Sequence, residues 1–215
     1  MRVKQEQGAN PLLFKFLGMN PSKGDMRKME IIEATVNCLA TQGMDSTSLE
    51  SVAKASKIAR SHIIYYFKNK EELFDAAFKY VLANAQDVFV QKMEKNTSPL
   101  ELLKAYVDVL FEWVEAYESH AKVMLLFYHC SSSMETYKKI HTEIRAAARN
   151  RIKIILEGLA EKKKKLSPSQ LENYSQAIHC MLTGFALEHL TTSSKLSLNR
   201  TKERAYGVVK EMLEL

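Results

Sequence analysis

The sequence predicts an all-α fold in which a small three-helix unit precedes a larger helical bundle, and three observations carry that prediction. Apolar residues recur at three- and four-residue steps through nearly the whole chain, with no strand-like alternation and no internal repeat. A helix-start device occurs twice, at Ser98-Pro99-Leu100-Glu101 and Ser167-Pro168-Ser169-Gln170, each with a serine N-cap, proline at the first helical position and an acceptor side chain at the third. Residues 43 to 73 read as a helix, a tight turn and a second short helix with a polar, basic, tyrosine-bearing outer face. That is the layout of a helix-turn-helix DNA reader.

Taken in order, Gly8, Pro11, Gly18, Pro21 and Gly24 mark residues 1–24 as an extended N-terminal arm. Two readings stand: a tail resting a few apolar residues on the body, or an arm whose Arg2, Lys4, Lys15 and Lys23 lie along DNA. A helix over about Met26 to Gln42 follows, with Asp25 as N-cap and Gly43 as a left-handed stop. Its stripe of Ile31, Ile32, Thr35, Cys38 and Leu39 closes over Leu49, Val52, Ile63 and Phe67. The next helix runs from about Ser48 to Ala55, capped by Ser46, Thr47 or Ser48. The third runs from about Arg60 to Phe67. At 100° per residue it turns Ile63, Phe67 and part of Ile64 inward and leaves Ser61, His62, Tyr65 and Tyr66 outward. Asn69 with Glu72 three residues on is a capping-box pattern, so a new helix starts at Lys70. Lys68 and Lys70 flank that start, a natural place for a phosphate.

The stretch from about Ile31 to Leu73 resembles the DNA-binding domain of the tetracycline-repressor (TetR) family of one-component transcriptional regulators. The matching residues are Ile31-Ile32-Glu33-Ala34 leading to Leu39 and Gly43, then Ser48-Leu49 and Val52-Ala53, then Tyr65-Tyr66-Phe67 and Lys70-Glu71-Glu72-Leu73. The resemblance implies a helix-turn-helix DNA-binding domain over 25–70 and a helical regulatory and dimerisation domain over 71–215. It further implies a homodimer on a palindromic double-stranded DNA operator, repression as the output, and a small-molecule effector in the bundle. Ser48, Arg60, Ser61, His62, Tyr65, Tyr66, Lys68 and Lys70 are the candidate DNA-binding residues. Three positions depart from the family pattern and affect specificity more than fold. Lys57 stands where the turn normally has glycine, Ala59 where the reading helix normally has a Ser or Thr cap, and Ile64 where a DNA-touching tyrosine is common. Either Lys57 accepts a positive φ, at a cost of roughly 1 kcal/mol, or the turn differs.

Charge distribution agrees with this reading. The net charge of +6 is uneven: residues 1–70 hold 11 Lys and Arg against 6 Asp and Glu, and residues 71–215 hold 20 against 19. Cationic potential therefore gathers where phosphates would be met. Cys38, Cys130 and Cys180 are odd in number and unpaired in spacing, so each is expected to be a small buried side chain, with no disulfide framework. The dipeptides His129-Cys130 and His179-Cys180 cannot chelate alone, because adjacent helical residues point about 100° apart, so no metal and no cofactor is expected. No segment approaches the roughly 18 uninterrupted apolar residues of a membrane span, and a cytoplasmic protein without membrane attachment is expected.

Beyond Lys70 the chain reads as helix throughout: Lys70 to about Lys95, 99–118, 120–131, 134–165, 168–192 and a last helix after Asn199. The lysine run 162–165 suits a solvated helix end. The helix from 168 and the last helix are expected to form a four-helix interface across a two-fold axis, through Tyr174, Ile178, Met181, Gly184, Phe185 and Val209. Gly184 in mid-helix suggests close approach of another backbone, within the chain or from a second copy. Ligand candidates are Tyr106, Phe111 and Phe127, with His141 and Arg145, one helical turn apart, either solvated or jointly receiving an acidic or carbonyl-bearing ligand. No nucleophile, paired-carboxylate site or phosphate loop has persuasive spacing, so the expectation is a regulator and not an enzyme. A ligand-independent or protein-partner-controlled DNA-binding protein is the alternative.

Overall fold

The computed structural model describes residues 22–94, 98–162, 166–192 and 197–215. Of the arm predicted over residues 1–24, residues 1–21 lie outside them, as do the side chains of the 162–165 lysine run. Among the described residues are nine helices and no strand: α1 (Lys23–Ser46), α2 (Leu49–Ser56), α3 (Arg60–Tyr66), α4 (Lys70–Met93), α5 (Pro99–Ala116), α6 (Glu118–Ser133), α7 (Glu135–Lys162), α8 (Pro168–Thr191) and α9 (Leu198–Met212). The chain divides into two compact units, one through Asp87 and one from Val88 onward, and the division falls within α4.

The first unit is built on α1. Its N-cap is Ser22, whose Oγ accepts from the Asp25 amide at 3.1 Å, so the helix starts a turn earlier than the sequence suggests and residues 23 and 24 belong to it. Asp25 instead supplies an acid to the first turn, where the helix dipole favours it. Ile31 and Ile32 are completely buried, Val36 and Leu39 nearly so, and Val52, Ile58, Ile63 and Phe67 of the following elements are buried as well. Tyr80 of α4 donates to the Glu33 carboxylate of α1 at 2.8 Å, while Leu73, Ala77 and Val81 are buried on the same helix.

Two backbone positions shape this unit. Gly43 has φ 76° and ψ −179°, a kink inside α1 and not the left-handed helical stop expected, because ψ is extended. That conformation is essentially restricted to glycine. Lys57 sits in the left-handed region at φ 56°, ψ 29°, and the Ile58 amide closes the end of α2 on the Ala53 carbonyl at 3.3 Å. Of the two alternatives the sequence leaves open, Lys57 therefore accepts the positive φ.

The second unit packs α7 on α5, α6 and α8, and α9 on α5 and α8. Its core joins Leu103, Val107 and Phe111 of α5, Ile152 and Leu156 of α7, Ile178 and Leu182 of α8, and Ala205 and Val209 of α9. Both Ser-Pro devices form as read. Ser98 accepts from the Glu101 amide and Glu101 accepts from the Ser98 amide, each at 3.3 Å, and the Ser167–Gln170 pair repeats this at 3.3 and 2.9 Å. The last helix begins earlier than expected, capped by Ser197 on the Arg200 amide. Cys38 and Cys130 are buried, whereas Cys180 is exposed, because its side of α8 faces away from the core that holds Ile178 and Leu182. No helix among the described residues is long and apolar enough to cross a membrane.

Two imidazoles of this unit stand out electrostatically. His120 lies edge-on to Trp113 and Tyr117, and burial pushes it down to about 4. His179 is also held at about 4, by burial first and then by the positive charges of Arg145 and Arg149 and by His141.

Backbone and titration each give an expected outcome. Lys57→Gly should raise the urea-unfolding free energy of the chain by about 0.5 to 1 kcal/mol, and Gly43→Ala should lower it by about 1 to 3 kcal/mol. The second loss comes from backbone strain alone, since a Cβ at Gly43 would meet no atom within 4 Å. The two depressed imidazoles take up protons on unfolding between their ordinary 6.5 and about 4. Stability should therefore fall as pH drops through that window and stay flat, for these groups, above it. Thermal melts should show a loss on the order of 5 °C that shrinks in the His120→Phe, His179→Gln double variant.

Candidate functional site

A seven-residue helix has too few internal hydrogen bonds to persist alone, so α3 owes its existence to what it buries. Ile63 is fully buried and Phe67, just past its end, is 1% exposed. Ser61 and His62 are exposed, Tyr65 is 82% exposed, and Tyr66 is half-buried. Ile64 points out as well, at 42% exposure, instead of turning partly inward. The Tyr65 and Tyr66 rings meet edge to face, 5.1 Å apart, which limits the rotamers of both. No side chain caps the helix start at Ala59; the His62 and Ile63 amides close onto the Ala59 carbonyl at 2.9 and 3.3 Å.

The supporting helix α2 is better fixed. Ser48 and Ser51 form a reciprocal capping box at 3.1 and 2.9 Å, and Gln42 of α1 donates to Ser51 Oγ at 3.0 Å. Of the three predicted cap candidates, Ser48 is the one used, and it is exposed at the start of α2. Arg60 Nε stands 3.9 Å from Glu50, with both side chains largely in water. Such a pair is worth about 0 to 1 kcal/mol and leaves the guanidinium available. At the start of α4, Glu72 accepts from the Lys68 amide at 2.9 Å and its own amide donates to Asn69 at 2.8 Å, a capping box displaced by one residue from the predicted one. Lys68 is exposed; Lys70 is half-buried with its ammonium 5.1 Å from the Phe74 ring centre.

One part of this surface was not anticipated. An open groove of about 910 Å³ runs between the start of α1 and α3, lined by Lys23, Arg27, Ser61, His62, Tyr65 and Tyr66 among others. Gly24 lines it too, and a Cβ there would make only ordinary contact with Tyr66 Oη, at 3.9 Å. The signal in the sequence was Ser22, a helix cap overlooked in favour of Asp25.

In the second unit the ligand candidates separate. Tyr106, whose hydroxyl is pushed up to about 12 by burial, and Phe111 belong to the main core. Phe127 is buried on α6 with its ring 5.9 Å from that of His141, and His141 and Arg145 are half-buried, not solvated. Tyr128, Arg149 and His179 join them; from sequence, His179 is weighed only as a metal ligand and Arg149 is passed over, though its position four residues after Arg145 is a signal. Of the interface candidates, Ile178 and Val209 lie wholly inside the core of the single chain. Tyr174, Met181 and Phe185 are half-buried, and Gly184 is exposed with nothing within 4 Å of a Cβ, so among the described residues no other backbone packs on it.

Residues 31–77 match the profile of bacterial regulatory proteins of the tetR family, and residues 99–214 match that of the BetI-type transcriptional repressor C-terminal region. The HTH-type transcriptional regulator BetI 1 of Chromohalobacter salexigens is 21% identical over 199 residues, covering 92% of this chain and 93% of that protein. A transcriptional regulator of Saccharomonospora viridis, solved in complex with choline, superposes with a TM-score of 0.77 at 14% identity, over 87% of this chain and 97% of that one. The fatty acid degradation regulator FadR of Bacillus halodurans gives 0.73 at 22% identity, over 85% and 94%.

Proposed function

The chain belongs to the TetR family of transcriptional regulators, and on that premise we propose that it is a homodimeric, ligand-responsive repressor of a palindromic operator. The observation that carries this reading is the division of labour in α3, where Ile63 and Phe67 anchor the helix and the remaining faces are free for a partner. Two copies of α3 enter successive major grooves about 34 to 36 Å apart. Arg60, Ser61, His62, Tyr65 and Tyr66 meet base edges or adjacent phosphates, with Ile64 offering an apolar contact of the kind a thymine methyl accepts. Ser48, Lys68 and Lys70 hold the sugar-phosphate backbone and set register. Lys23 and Arg27, across the groove from Tyr66, extend that backbone contact. In this reading residues 25–70, extended by Lys23 and Gly24 at the start of α1, are the DNA-binding part, and 71–215 the regulatory and dimerisation part.

Dimerisation uses the outer face of α8. Ala177, Cys180, Gly184 and Leu187 are exposed at three- and four-residue steps, with Tyr174, Met181 and Phe185 flanking them and Ile178 and Val209 supporting them from behind. A bare glycine in the middle of such a stripe lets two helices approach closely, which supports a symmetric contact. An effector bound in the bundle biases the two readers between spacings that fit and do not fit the operator, and a coupling of about 1 to 3 kcal/mol changes occupancy some 5- to 150-fold. The neighbour solved with choline supports a small molecule as the signal.

Operator binding measured by fluorescence anisotropy should weaken about tenfold in Tyr65→Ala, with unchanged melting temperature because the side chain is exposed. Lys68→Ala should lower the salt slope of log K by about one with little effect on sequence preference, and a footprint lacking two-fold symmetry would refute the dimeric mode. Gly184→Leu should shift the chain toward monomer in sedimentation velocity and reduce operator binding while leaving the helical content intact.

A further inference from the structure

The inward stripe of α7 changes chemistry along its length. Toward the C-terminus it carries Ile152, Leu156 and Leu159 into the core. Continued toward the N-terminus in the same three- and four-residue register, it carries Arg149, Arg145 and His141 instead. All three are half-buried. The Nε of Arg149 is fully buried and reaches no hydrogen-bond acceptor, and among the described residues no carboxylate pairs with Arg149 or Arg145. A partly desolvated guanidinium without a partner is unfavourable, and a chain selected only for folding would place an aliphatic side chain there.

The surroundings describe what would complete the group. From α6, the Tyr128 ring lies 4.9 Å from that of His141 at a 33° tilt, and Phe127 meets the same imidazole edge-on. From α8, His179 lies within reach of both guanidinium charges and is held neutral. The region therefore has two permanent positive charges, two imidazoles that burial and those charges keep neutral, a phenol and an apolar aromatic wall. Guanidinium forks match planar oxyanions, whereas a cationic ligand would meet two like charges at close range.

We propose that Arg145 and Arg149, oriented between α6 and α8, receive the carboxylate of a small organic anion whose apolar body lies against Phe127 and Tyr128. This deepens the ligand-responsive reading above and rests on it. The site selects against quaternary ammonium effectors, so this chain answers to the opposite charge from choline.

Full-length protein titrated at constant ionic strength with octanoate, benzoate, octanol and choline, followed by calorimetry and thermal melts, tests this. At least one of the two carboxylates should bind and raise the melting temperature, and octanol and choline should not. Arg145→Gln and Arg149→Gln should each weaken that binding about 10- to 100-fold, with Arg149→Lys retaining part of it. Arg149→Met should melt at a higher temperature than the parent without ligand and bind no carboxylate. The proposal is overturned by absence of binding for both carboxylates, by variants that bind as the parent does, by choline binding as tightly, or by an Arg149→Met protein that melts lower. Gel shifts without additives run in parallel separate the two levels. Specific DNA binding with no carboxylate response removes only the anion assignment, whereas sequence-indifferent binding removes the regulator reading itself.

Discussion

The burial of two side chains, Ile63 and Phe67, is the interaction on which the proposed reading surface depends. Fully burying an aliphatic or aromatic side chain contributes about 1.5 to 3 kcal/mol, far more than a helix as short as α3 gains from its own backbone. The core of α1 and α2 thus determines where α3 lies. Because so little of its circumference faces inward, Arg60, Ser61, His62 and Tyr65 owe nothing to packing. The rigid capping box of α2, braced by Gln42, supplies the fixed platform that the weaker helix lacks.

Much of this was legible in the residues, and the reasons are physical. Periodicity reports which side of a helix is apolar, and it identified Ile31, Ile32, Leu39, Val52, Ile63 and Phe67 as the core of the head. Capping chemistry is local, so both Ser-Pro starts formed as read. Where two caps compete within one turn, sequence alone cannot rank them: Ser22 outcompeted Asp25, and Glu72 reached the Lys68 amide instead of that of Asn69. Positions near the edge of a stripe were misjudged for the same reason that α3 is so free, since a small rotation moves Ile64 outward.

Long-range placement was less accessible. Nothing in the spacing of Ile178 and Val209 distinguishes a residue that faces a second copy from one that faces its own core, because both environments want the same aliphatic side chains. Only Gly184, with open space around it, differs. The cationic half of the α7 stripe was half seen: His141 and Arg145 were singled out as a turn-spaced pair, but whether they face water or α8 depends on how helices cross. The similarity to the BetI-type C-terminal region fixes the fold of the bundle and leaves its chemistry to residues such as Arg149.

The missing cap at Ala59 has a kinetic side. With no side chain at the cap, the first turn of α3 is held only by the backbone bonds of His62 and Ile63 to Ala59, so it should open at lower cost than the doubly capped α2. Amide exchange across the head would then run from fast at residues 60 and 61 to slow around Ile32, a gradient built into the molecule before any DNA arrives. If α3 is the reader proposed above, such a loosely started helix would settle its first turn against whichever phosphate geometry it meets, and so sample many sites briefly before staying at one.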